Sequence, residues 1–175
     1  MRSARQLTAA LLVAVAAFTI SCSDRGMPTA PATPPQADLV GSLLQETGLL
    51  KCSPLPYDSV TAVIGPTGGT ITVGPHTLAI PYGALSAPTT ITGTLPQGQG
   101  VNAIRFYPQG LQFARPASLT MSYANCNLLG SLAPKQIAYT TDALTILSYL
   151  LSIDNLFTRK VTGQVNHFSE YVVAW

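Results

Sequence analysis

The residues able to do chemistry in this chain are few and scattered. Cysteines stand at 22, 52 and 126 and histidines at 76 and 167. Tetrahedral zinc needs four Cys or His ligands at characteristic short spacings, and His76 and His167 offer none. Asp142 and Asp154 are isolated, and Glu170 lies beside His167-Phe168-Ser169 with no acidic neighbour, so no carboxylate pair stands ready for acid–base work. The chain has no Gly-x-Ser-x-Gly elbow, phosphate loop or His-Glu-x-x-His motif. No cofactor or metal is expected. Arg105 and Arg115 are candidates to flank a binding surface, although charges on strand faces are usually solvated. The tyrosines (57, 82, 107, 123, 139, 149 and 171) and Trp175 could form a sugar-stacking platform, though such residues more often pack in or against a core.

The composition says what must position these residues. The 175 residues suit one ordinary domain with appendages. Only 9% are charged, while 14 Gly, 14 Pro and abundant Thr favour short strands and turns over helices. A bundle, a coiled coil and a charged disordered tail are excluded on that ground. The formal charge of +2 comes from Arg2 and Arg5, because Lys/Arg and Asp/Glu balance from Cys22 onward. A neutral body without a basic cluster argues against nucleic acid as partner.

The N-terminus reads as an export signal. Arg2 and Arg5 make a positive region, and Leu7 to Ile20 carry no charge. That run is shorter than the roughly 20 apolar residues of a membrane span and suits a signal-peptide core. It stops at Thr19-Ile20-Ser21-Cys22, which resembles the bacterial lipobox; the usual Leu of that motif is Thr19 here. The resemblance implies that residues 1–21 are removed and that Cys22 becomes the acylated first residue. Ser23 rather than Asp in the next position implies the outer membrane. An ordinary secretory peptide and an uncleaved anchor are the alternatives. Residues 22–37 hold Pro28, Pro31, Pro34 and Pro35 and read as a partly extended tether. Residues 38–58 read as a short helix, capped by Asp38 with Leu39, Val40, Leu43 and Leu44 on one stripe and ending near Gly48, followed by a connecting segment.

With Cys22 assigned to lipid, Cys52 and Cys126 remain. In an oxidising compartment two leftover cysteines tend to pair, so a Cys52–Cys126 disulfide is expected, with two buried thiols as the alternative.

Period-two alternation begins near Val60. Ile71 and Val73, Leu78 and Ile80, Leu111 and Phe113, and Leu119, Met121 and Tyr123 alternate with small or polar residues, as half-buried strands do. Further strands are expected at 136–141, 144–150, 159–163 and 170–173. Breaks fall at Gly65-Pro66, Gly68-Gly69, Gly74-Pro75, Pro81-Tyr82-Gly83, Gln97-Gly98-Gln99-Gly100 and Pro108-Gln109-Gly110. Turn signals at this spacing predict an all-β sandwich or barrel over residues 59–175.

Four stretches in order resemble the ZU-five domain, the Ig-like β-sandwich module of ankyrins, netrin receptors and tight-junction scaffold proteins. They are Ile64-Gly65-Pro66-Thr67-Gly68-Gly69-Thr70, Leu78-Ala79-Ile80-Pro81-Tyr82-Gly83-Ala84-Leu85, the run from Phe106 to Thr120, and His167-Phe168-Ser169-Glu170-Tyr171. The resemblance implies a single β-sandwich acting as an interaction or structural module, with no shared enzymatic site. Some relatives cut themselves at His-Phe-Ser. Carried over by position, Ser169 would attack the Phe168 carbonyl with His167 assisting, and water would cleave the resulting ester. That chemistry needs a strained bond and an oxyanion donor. The plainer alternative is that His167 and Ser169 serve backbone groups while Phe168 and Tyr171 pack.

The sequence therefore points to an exported, lipid-anchored, non-catalytic protein. Its expected partners are membrane lipid through Cys22 and an envelope protein or polysaccharide. A carbohydrate-binding module would require an exposed aromatic row on one sheet face, and an autoproteolytic domain would require His167 and Ser169 around a strained bond.

Overall fold

The computed structural model describes residues 48–128 and 133–175. The expectations for residues 1–47 (signal peptide, acylated Cys22, tether and helix) lie outside the described residues. No helix among the described residues is long and apolar enough to cross a membrane.

Eleven strands are described: β1 (Ser59–Ile64), β2 (Gly69–Val73), β3 (His76–Ile80), β4 (Thr89–Thr94), β5 (Ala103–Tyr107), β6 (Gln112–Ser122), β7 (Gln136–Thr140), β8 (Ile146–Tyr149), β9 (Ser152–Asn155), β10 (Lys160–His167) and β11 (Glu170–Ala174). They form two antiparallel sheets, of order β1-β4-β5-β11-β7-β8 and β2-β3-β6-β10-β9. The fold is an all-β sandwich. Of the strands expected from sequence, 136–141, 144–150 and 170–173 correspond closely to β7, β8 and β11, whereas the strand expected at 159–163 runs on to His167 as β10.

The alternation that marks the strands also builds the core. Ile71, Val73, Leu78, Ile80, Leu119, Met121, Val161 and Val165 from the smaller sheet meet Ile91, Ile104, Phe106, Ile137, Tyr171 and Val173 from the larger. The sheets approach closely at Gly93, where a Cβ would stand 2.7 Å from Val73. A second buried cluster of Leu49, Ala103, Ala138, Val172 and Ala174 alternates out of phase with that core, on the opposite face of β5, β7 and β11.

The turn chemistry falls where glycine and proline dictate. Pro81, with no N–H to give, ends β3. Gly68 has φ +78°, and a Cβ there would stand 2.4 Å from the Ile80 carbonyl oxygen, so only glycine fits the β1–β2 turn. Pro116 lies inside β6, outside the β3 pairing that covers Thr120 to Ser118 and at the shift in β10 pairing between Val165 and His167. A residue without an N–H is tolerated there because no ladder bond is asked of it.

The connecting segment is part of the domain. Leu49, Leu50 and Cys52 are buried, Leu49 bridges to Ala174, and the Leu50 amide donates to the Val173 carbonyl at 3.3 Å. Cys52 and Cys126 face one another across an antiparallel bridge and are joined by a disulfide.

Candidate functional site

The His167-Phe168-Ser169 segment is the corner where the chain leaves β10 in one sheet and enters β11 in the other. Its backbone is fully engaged. The Phe168 amide donates to the Leu111 carbonyl at 2.9 Å, the Gly110 amide donates to the Phe168 carbonyl at 2.9 Å, and the Phe106 amide donates to the Ser169 carbonyl at 3.1 Å. The Phe168 ring is buried, stacked on Phe106 at 5.2 Å and met edge-on by Phe113 at 5.0 Å. Gly110, in the turn between β5 and β6, thus donates to the Phe168 carbonyl where an oxyanion donor would stand.

The imidazole of His167 is held elsewhere. It packs edge-on against Tyr139 at 5.0 Å and lies over Tyr171, whose hydroxyl donates to the His167 carbonyl and stands 3.5 Å from Nδ1. Burial pushes the Tyr171 phenol above its ordinary value, with the neighbouring Tyr139 adding to the effect. Among the described residues no hydrogen bond joins the His167 ring to the Ser169 hydroxyl. The backbone groups of the three motif residues serve the corner itself.

The next residue carries the charge. Glu170 is 1% exposed, and its Oε2 accepts from Arg105 Nε at 3.1 Å and Nη2 at 2.5 Å; Asp142 Oδ1 lies 3.1 Å from the same Nη2. Glu170 registers opposite Arg105 on β5 and Thr140 on β7. Pairing with Glu170 holds the guanidinium above its ordinary range. Glu170 Oε1 and Thr140 Oγ1 are buried without a protein partner. In sequence Glu170 and Asp142 look isolated; the fold gathers both onto the half-buried Arg105. Arg115 is exposed, and its guanidinium lies near Gly83.

His76 is fully buried and its Nδ1 accepts the Ser122 amide at 3.1 Å, while Nε2 has no partner. Burial lowers its pKa to about 4. Asp154 accepts the Tyr123 hydroxyl at 2.6 Å and the Lys135 amide at 2.8 Å, so it braces β9 against neighbouring segments. No group of three or more His, Cys, Asp or Glu able to hold a metal occurs among the described residues.

The aromatic residues separate into two sets. Tyr123 and Tyr171 are buried, Tyr139 and Trp175 half-buried, and Tyr57, Tyr82, Tyr107 and Tyr149 exposed. The exposed tyrosines do not form a row: Tyr107 on β5 and Tyr149 on β8 are separated by β11 and β7, and Tyr82 follows β3 in the other sheet. The smaller sheet carries a shallow open groove of about 380 Å³, lined by uncharged residues that include Thr70, Ala79, Pro81, Pro116, Ser118 and Gln164.

One feature escaped the sequence reading. Leu147, Tyr149, Leu151, Ile153, Leu156 and Phe157 are all exposed, in the run through β8 and β9, which are the edge strands of the two sheets. The signal was the density of large apolar residues over 146–157, more than one strand face can bury. No protein-family model matches the chain, and no curated protein matches it.

Proposed function

We propose that this chain is an envelope-anchored, non-catalytic lipoprotein. Lipid on Cys22 and the tether 22–37 would hold a ZU-five-like sandwich at the outer membrane, where it serves as a protein-interaction or structural module. The observation that carries the non-catalytic part of the reading is the engagement of the His167-Phe168-Ser169 corner. Phe168 is bonded through both its amide and its carbonyl and its ring is buried, while the His167 ring lies against tyrosines. A self-cleaving site would need the His167 ring within reach of the Ser169 hydroxyl, and among the described residues no hydrogen bond joins them, the ring lying against Tyr139 and Tyr171 instead. The Cys52–Cys126 disulfide supports an oxidising compartment.

Intact mass of the protein purified from its native membrane, with and without reductant, tests the reading. The expected result is an acylated start at Cys22, an end at Trp175 and a gain of two hydrogens on reduction. An unacylated start elsewhere sinks the lipoprotein reading. A chain ending at Phe168 would make Ser169 a nucleophile.

The groove favours a second reading, binding of a neutral polysaccharide. Its lining is uncharged, and hydroxyl and amide groups at Thr70, Ser118 and Gln164 could bond sugar hydroxyls. Titration with soluble neutral glucans separates the two: heat of binding lost in Gln164→Ala would favour it, and no heat with the parent chain would dismiss it.

A further inference from the structure

We infer that the exposed apolar edge ending in the β9–β10 turn is a second membrane contact, which seats this domain on an anionic lipid surface. The inference rests on the lipid-anchored reading above. Leu151 is 89% exposed, Ile153 78% and Phe157 102%, with Leu156 beside them. A cluster of large side chains left in water is uncommon on a monomer and marks a surface that something covers.

The turn is built to hold its apolar tip outward. Asn155 Oδ1 accepts the amides of both Phe157 and Thr158 at 3.1 Å, fixing the turn as the chain leaves β9. Arg159 takes φ 51° and its carbonyl accepts the Tyr123 amide at 2.9 Å. The ring of Phe157 is therefore presented by a hydrogen-bonded loop.

Two observations identify the occupant as lipid. The first is charge. Arg159 and the exposed Lys160 directly follow the tip, and the nearest acid, Asp154, is bonded inward to Tyr123 and Lys135. Apolar side chains with cations at their base match the acyl and headgroup layers of an anionic leaflet. The second is where the described chain begins. Gly48 abuts the Tyr149 hydroxyl on β8, the Lys51 carbonyl accepts the Asn127 amide at 2.8 Å, and the Ser53 amide donates to the Asn125 carbonyl at 3.0 Å. The same turn meets the tip, since Arg159 Nη1 donates to the Ala124 carbonyl at 3.3 Å. The described chain therefore begins at the same end of the sandwich as the apolar tip.

The test places an indole at the tip. The full chain carrying Phe157→Trp is purified from its native membrane and reconstituted in vesicles of phosphatidylethanolamine and phosphatidylglycerol containing brominated lipid, and the parent chain supplies the Trp175 background. The expected result is a blue-shifted, bromine-quenched indole at position 157. In that background Leu156→Ser should shift the docked equilibrium about tenfold or more toward undocked, and Lys160→Gln about fivefold. An acylated protein whose position 157 stays unquenched overturns the inference and leaves the anchored reading intact. Quenching in a chain whose mass shows no acyl group supports the contact and sinks the anchor. A blue shift without vesicles, rising with protein concentration alongside dimers in sedimentation, overturns it in favour of an interface between two copies.

Discussion

At the scale of single residues, the polar groups inside this sandwich are specific stability determinants. His76 is the clearest. Burial holds its pKa near 4 while the unfolded chain keeps the ordinary 6.5, so the unfolded state binds the proton first. The stability that depends on neutral His76 is complete above pH 6.5 and declines as the pH falls toward 4. The loss should approach about 3 kcal/mol. Urea midpoints measured across that window should show the decline, and His76→Gln should flatten it. Glu170 makes a second case. Removing it by Glu170→Ala leaves Arg105 without its buried partner and should cost about 3 kcal/mol in urea unfolding. Asp142→Ala removes a carboxylate that is 75% exposed and should cost under about 1 kcal/mol. Equal losses from the two substitutions would mean that the ion pair is not what holds Glu170 in place.

The element scale shows what could be read and what could not. Pro81 ends β3 and Gly68 shapes the β1–β2 turn because their constraints are local, and local constraints are written in the residue itself. Ile71, Val73, Leu78 and Ile80 alternate as they must when one face is buried. β9 gave no such signal: Ser152-Ile153-Asp154-Asn155 buries little, so its alternation has no apolar phase. β4 carries little apolar signal for the opposite reason, because Thr surrounds its buried Ile91 and Gly93 provides clearance instead of a side chain. The ion pair of Arg105 and Glu170 was illegible, since residues 65 apart meet only through the β5–β11 register. The Cys52–Cys126 pairing was legible from compartment and count alone. It closes a loop of 74 residues, so replacing both cysteines by serine should lower stability by about 4 kcal/mol in the chain-entropy account, read from denaturant midpoints without reductant. The same treatment with reductant should bring the parent chain close to the double variant.

At the scale of the whole molecule, the described sandwich is sparsely charged and gathers Leu147, Tyr149, Leu151, Ile153, Leu156 and Phe157, exposed, along the run through β8 and β9. Its two sheets share one core and are stitched by the β10–β11 corner, so they should unfold together. Fluorescence of Trp175, whose amide donates to the Gly48 carbonyl at 2.9 Å, reports the last strand, whereas far-ultraviolet dichroism reports both sheets. The two denaturation curves should coincide, and separated midpoints would show sheets that fail independently. The exposed edge was missed in sequence because apolar density reads as burial unless the neighbouring strand is known. Only the topology, with β8 and β9 both at sheet margins, leaves Leu151, Ile153 and Phe157 outside.

The placement of the disulfide also sets how this molecule carries force. A pull arriving along the chain from residue 48 first strips Leu49 and Leu50 from β11 and then meets Cys52, bonded to Cys126. From there the tension crosses the sulfur bridge and bypasses residues 53–125, which hold β1 to β6. Those residues represent roughly 250 Å of contour at about 3.4 Å each. While the bridge is intact that length cannot be paid out, and on reduction it can, so the bond acts as a length limiter.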